Sequence, residues 1–186
     1  MPFDPRRYGP EVAAILALDG AGDRLMPLAE GACSSDEARQ RIQTRGAASL
    51  FPASRAPEAA LSGLYLYFSC LEDAHLVAQK LATPEGSFWH GIMHRQEPDP
   101  SNAEYWFRRV GSHPVFPELR QAAAELVRRY PKANIRVAEA WDPVWFVELC
   151  EEARCRPGSV LEQAAREIQR AEWQLLFDYC AHEAQR

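Results

Sequence analysis

Lysine is nearly missing from this chain: Lys80 and Lys132 are the two present, so arginine supplies almost all of the 21 basic charges against 26 acidic ones. A net charge of −5 repels a phosphate backbone, which argues against nucleic acid as a partner. No window holds 18 uninterrupted apolar residues, which argues against a membrane partner. The start of the chain, Met1 to Arg7, has no apolar run behind its charges of the sort a signal peptide carries, so a cytoplasmic location is expected. The five cysteines are odd in number and never spaced C-x-x-C; the expectation is reduced, structural thiols. There is no Gly-rich phosphate loop and no G-x-S-x-G elbow, which disfavours classical nucleotide hydrolysis and serine hydrolase chemistry.

β-Branched runs with period-two alternation are also nearly absent, while apolar residues recur at three and four along most of the chain. The expected fold is all-α, a compact single-domain helical bundle with two or three long helices and several short ones. Residues 1–56 would supply short helices and a loop, and residues 57–186 the bundle core. Gly9 with Pro10 opens a helix to about Leu18, and Ser34 with Glu37 forms a capping box for one from about Asp36 to Gln43. A long helix is expected from Pro57 to about Leu81, striped by Leu61, Leu64, Phe68, Leu71, His75 and Ala78. After a break at Thr83–Gly86, helices follow at 87–97, at 101–110 under a Ser101/Glu104 capping box, from Pro117 to Tyr130, from Pro143 to about Arg154, and from Ser159 onward. The final amphipathic helix packs within the chain or completes a homodimer.

Residues 85 to 117 read EGSFWHGIMHRQEPDPSNAEYWFRRVGSHPVFP and hold three of the five histidines and two of the five tryptophans. A packed helical core does not need that mixture. Across residues 70 to 117 the chain resembles a family of uncharacterised bacterial and fungal proteins that share FWHGIMHR, an acidic and Asn-containing break, YWFRRVG and HPVF. The resemblance implies no activity and no cofactor.

His90 and His94 stand at i and i+4, which places both imidazoles on one helical face, and Glu97 shares it. Glu72 and His75 form a Glu-x-x-His step on the preceding helix. If the two helices fold back about residue 84, His75 comes level with residue 93 and Glu72 with residue 96. Glu72, His75, His90 and His94 are then candidate ligands of a divalent transition metal, zinc, iron, manganese or nickel, in a layer that Glu97 completes. The plainer reading makes His75 a hydrogen-bonded core residue and the His90/His94 pair a polar face with its own carboxylate. Glu97 and His113 are the candidate acid–base residues, with roles for His90 and His113 that can be exchanged.

Arg95, Asn102, Tyr105, Arg108 and Arg109 form a second constellation able to hold a small anionic ligand, with Tyr105 or Trp106 stacking on a planar one. A salt-bridge lattice with Glu97, Asp99 and Glu104 explains the same arginines equally well. Two functions follow. One is a small enzyme with a His/Glu/Arg-lined pocket, metal-dependent or not, acting on a small anionic molecule. The other is a non-catalytic binding or interaction module whose polar segment is structural.

Overall fold

Proline fixes where most of the helices begin. The computed structural model describes residues 3–183, and among them nine α-helices carry the fold. They are α1 (Pro10–Leu16), α2 (Asp36–Leu50), α3 (Pro57–Tyr67), α4 (Leu71–Ala78), α5 (Pro84–Gln96), α6 (Pro100–Val110), α7 (Phe116–Arg128), α8 (Pro143–Arg154) and α9 (Val160–Ala181). Six of these start with a proline at or beside the first helical position, where its missing N–H has no intrahelical acceptor to lose. Side-chain caps complete the starts: Thr83 accepts from Gly86 N, Asp99 from Asn102 N, Asp142 from Val144 N and Ser159 from Glu162 N. The fold is all-α, as the periodicity requires, and no helix of the described residues is long and apolar enough to cross a membrane.

Several boundaries differ from the sequence expectation, each for a local reason. The expected 57–81 helix is two helices. Ser69 takes a positive φ of 58° between α3 and α4, and the chain folds back so that the Ser62 hydroxyl donates to Ala74 O at 3.0 Å. The cap of α2 is Ser35 rather than Ser34, whose hydroxyl instead donates to Asp19 at 2.7 Å. α2 continues past Gly46, kinked there at φ 67°, to Leu50. Asp99, not Ser101, caps α6, and Pro84–Gly86 form the first turn of α5 rather than a break. Among the described residues α9, at 22 residues, is the longest helix.

α5 lies at the centre, buried on every side from Gly86 to Gln96, with α3, α4 and α6 packed around it. Two glycines permit that proximity. A Cβ on Gly63 would sit 2.5 Å from Trp89 Cζ2, and one on Gly91 would sit 2.8 Å from Phe107 Cζ. The face that carries His90 and His94 is therefore buried rather than a polar face turned to solvent. The buried polar residues of α5 need internal partners.

The strongest of these partnerships joins Arg95 to Glu172 of α9, both fully buried. The guanidinium donates to both carboxylate oxygens and, at 3.3 Å, to the Gln169 side-chain oxygen. It also lies 4.4 Å over the Phe146 ring of α8. Arg95, expected to hold a ligand, is therefore committed to the interior. Gln169 uses its amide to donate to Met26 O and Pro27 O, and Arg166 and Gln174 donate to Leu25 O and Gly22 O. With Arg170, which donates to Asp23 O at 3.4 Å, the row Arg166, Arg170 and Gln174 runs at four-residue spacing, and together with Gln169 it fastens the 22–27 segment by its carbonyls.

Cys33 and Cys70 are joined in a disulfide, with Cα atoms 4.4 Å apart and 37 residues of separation. This corrects the expectation of reduced thiols throughout; Cys150, Cys155 and Cys180 are free. Closing a loop of that length stabilises the fold by on the order of 4 kcal/mol in the chain-entropy account.

Glu172→Leu leaves the Arg95 charge buried and unanswered, and urea unfolding at neutral pH is expected to register a loss of about 3–5 kcal/mol. The double variant Arg95→Met, Glu172→Leu recovers most of that loss, because two apolar chains replace the pair in the same volume. A double variant as unstable as the single one would show that the pair does not carry this part of the core.

Candidate functional site

Folding α4 back against α5 brings three imidazoles together. The His75 ring lies 4.9 Å from that of His90 and 5.8 Å from that of His94, and His90 and His94 are 6.0 Å apart. The register expected about residue 84 is realised in this respect, since His75 meets both α5 histidines. His75 stands edge-on to the two α5 rings, which are nearly parallel to each other, and it is half-buried while they are buried.

Each α5 histidine has its orientation set by a neighbour. His90 Nδ1 lies 3.2 Å from Gly86 O, so Nδ1 carries the proton and Nε2 keeps a lone pair. The opposite support is Trp106 of α6, stacked on the His90 ring at 4.1 Å and 10°. His94 Nδ1 lies 2.8 Å from Glu97 Oε2, a carboxylate–imidazole pair at the end of α5. The Asn102 amide rests against the same ring, with its nitrogen 3.2 Å from Nε2 and 3.4 Å from Nδ1. Burial pushes the His90 imidazolium down from 6.5 to about 4, opposed by the Gly86 carbonyl and reinforced by charge on His75 and His94.

The other expected residues distribute differently. Glu72 is exposed and lines a cleft with Cys33, Arg39 and Asp73 instead of joining the imidazoles. Among the described residues no three His, Cys, Asp or Glu side chains are placed to hold a metal ion, so the five-ligand layer is not formed. His113 lies elsewhere, buried among Phe88, Phe116 and Tyr179, with its Nδ1 accepting from Val115 N and its Nε2 3.9 Å from Glu85. It does not share a site with Glu97 through any contact, and burial lowers its pKa. Arg108 is paired with Glu104 at 2.5 Å, part of the lattice that the acidic neighbours suggested. Arg109 makes no ion pair among the described residues and lies over the Trp106 and Tyr105 rings at 5.4 and 5.8 Å. Tyr105 is half exposed.

Two features of the site escaped the sequence reading. Trp106 supports a histidine rather than offering itself to a planar ligand, and nothing in its spacing from His90 signals that. Glu172 and Gln169 are different, because both interrupt the apolar stripe of α9 between Ala165, Ile168 and Leu176, and a charge in a buried stripe asks for a partner. Comparison with family models, with curated proteins and with solved structures finds no match for this chain.

The His90 shift has a definite sign. The unfolded chain takes up a proton near pH 6.5 that the folded ring resists until about pH 4, so this contribution to stability is complete above 6.5 and is lost as pH falls toward 4. Between pH 7 and 4.5 it amounts to about 2–3 kcal/mol. His90→Phe keeps the stack on Trp106 without the titration. Its stability, followed by urea unfolding across that range, is expected to fall by about 2–3 kcal/mol less than that of the parent; an equal fall in both would assign the pH dependence to other groups.

Proposed function

We propose that the chain is a small-molecule enzyme whose acid–base groups are His75, His90 and His94, with Glu97, between α4, α5 and α6, and that its substrate is a small anion. The observation that carries this reading is the His94–Glu97 pair beside two further imidazoles. A carboxylate on Nδ1 fixes the ring's orientation and keeps the proton on that nitrogen, which leaves the other nitrogen as the proton acceptor. His90, held neutral with Nε2 unprotonated, adds a second acceptor. His75 is the half-buried member through which solvent and substrate reach the group. Arg109, over the aromatic rim of Trp106 and Tyr105, supplies the positive charge for an anionic substrate.

The stack of Trp106 on His90 supports a second reading, in which the segment is a structural network that orders α4, α5 and α6 for an interaction module. The two separate on binding and turnover. Histidine ring signals are followed by NMR as inorganic phosphate, acetate and phenyl phosphate are added, and hydrolysis of small carboxylate and phosphate esters is assayed with and without chelator.

The enzyme reading expects saturable shifts at His75 and His94, weakened about tenfold by Arg109→Met, which removes a charge-assisted contact. It expects turnover that persists in chelator and falls about 100-fold in His94→Ala. Turnover abolished by chelator and restored by zinc or manganese would reassign the imidazoles to a metal. Ring signals indifferent to every anion, with no turnover, would leave the structural network.

A further inference from the structure

The Cys33–Cys70 disulfide is asymmetric in its surroundings. Cys70 is 4% exposed, just before α4, whereas Cys33 is only partly buried on the loop that leads to α2. The bond borders a surface cleft of about 200 Å³ whose walls include Glu30, Arg39, Glu72 and Asp73. Arg39 is engaged with Asp73 at 2.6 Å, and Glu30 and Glu72 are exposed, so the cleft presents three carboxylates against one guanidinium that is already paired.

We propose that this bond is a thiol–disulfide exchange site, entered at Cys33, that takes neutral or cationic thiols in preference to anionic ones. The incoming thiolate attacks Cys33 Sγ along the open side. A new sulfur–sulfur bond forms there, the Cys33–Cys70 bond breaks, and its electron pair leaves on Cys70 Sγ, which takes a proton from solvent. A second thiolate then attacks the external sulfur of the mixed disulfide, releasing Cys33 as a thiolate. The balance is two external thiols oxidised to one external disulfide and the protein disulfide reduced to two thiols. The acidic walls repel an anionic thiol such as glutathione and attract an aminothiol such as cysteamine, and salt weakens both effects. Cys150 and Cys180 are buried, and burial raises both thiols, Cys150 to about 11, so neither competes.

The experiment uses the full chain carrying Cys155→Ser, because Cys155 is an exposed free thiol. Reduction by cysteamine and by glutathione is quenched with acid at intervals and mapped by mass spectrometry, with rates expressed per thiolate. The expected intermediate is an adduct on Cys33, and cysteamine reacts at least about fivefold faster than glutathione at low ionic strength, the gap closing at about 0.5 M salt. Glu30→Gln with Glu72→Gln narrows the same gap without added salt. As a check on the entry point, the thiol of Cys33 left by Cys70→Ser couples with cystamine at least about tenfold faster than the thiol of Cys70 left by Cys33→Ser. An adduct on Cys70, equal rates for the two thiols, or both cysteines already free in the air-purified protein would each overturn the proposal.

Discussion

A charge inside a protein must be answered where it lies, and the Arg95–Glu172 pair imposes that requirement on the whole interior. Neither group reaches water, so α5 and α9 can approach only in the register that brings guanidinium to carboxylate. Gln169 extends the constraint from the pair to the carbonyls of Met26 and Pro27, and the Arg95 carbonyl accepts from Arg154 of α8. Four parts of the chain far apart in sequence are thereby held to one point. The ring of Phe146 beneath the guanidinium excludes the water that would otherwise weaken the pair.

The imidazole cluster inherits its geometry from this anchor. With Arg95 turned toward α9, the adjacent His94 and, one turn earlier, His90 face α4 and α6, where His75 and Trp106 meet them. The reversal at Ser69 completes the arrangement, since a continuous helix through residues 68–70 would carry His75 away from α5. A polar group of this sort is supported by rigid elements on three sides, which is the condition for holding proton-transfer groups in place. The disulfide at the start of α4 and the Arg39–Asp73 pair beside it fix the element that brings His75.

Much of the helix punctuation was legible in the residues themselves. Pro10, Pro57, Pro143 and Ser159 mark starts that depend on a local dihedral or one local hydrogen bond, and the structure places helices there. Where Ser34 and Ser35 compete to cap α2, a distant contact decides, because Asp19 takes the Ser34 hydroxyl. The meeting of His75 with His90 and His94 followed from their spacing and a fold-back between α4 and α5. Glu72 did not follow, because helix register gives a level along the axis and not the side of the helix that is presented.

By itself the sequence determined an all-α chain, the positions of most helix starts and the segment in which histidines, arginines and aromatics concentrate, because those depend on periodicity and on groups a few residues apart. The tertiary structure decided which charges are buried and which are free. Arg95 and Arg109 are the same residue type fourteen positions apart, and only the packing of α9, 77 residues beyond Arg95, places one in the core opposite Glu172 and leaves the other over the rings of Tyr105 and Trp106. The pairing of Cys33 with Cys70 is of the same kind. It depends on two loops brought together by the fold, and no spacing in the chain specifies it.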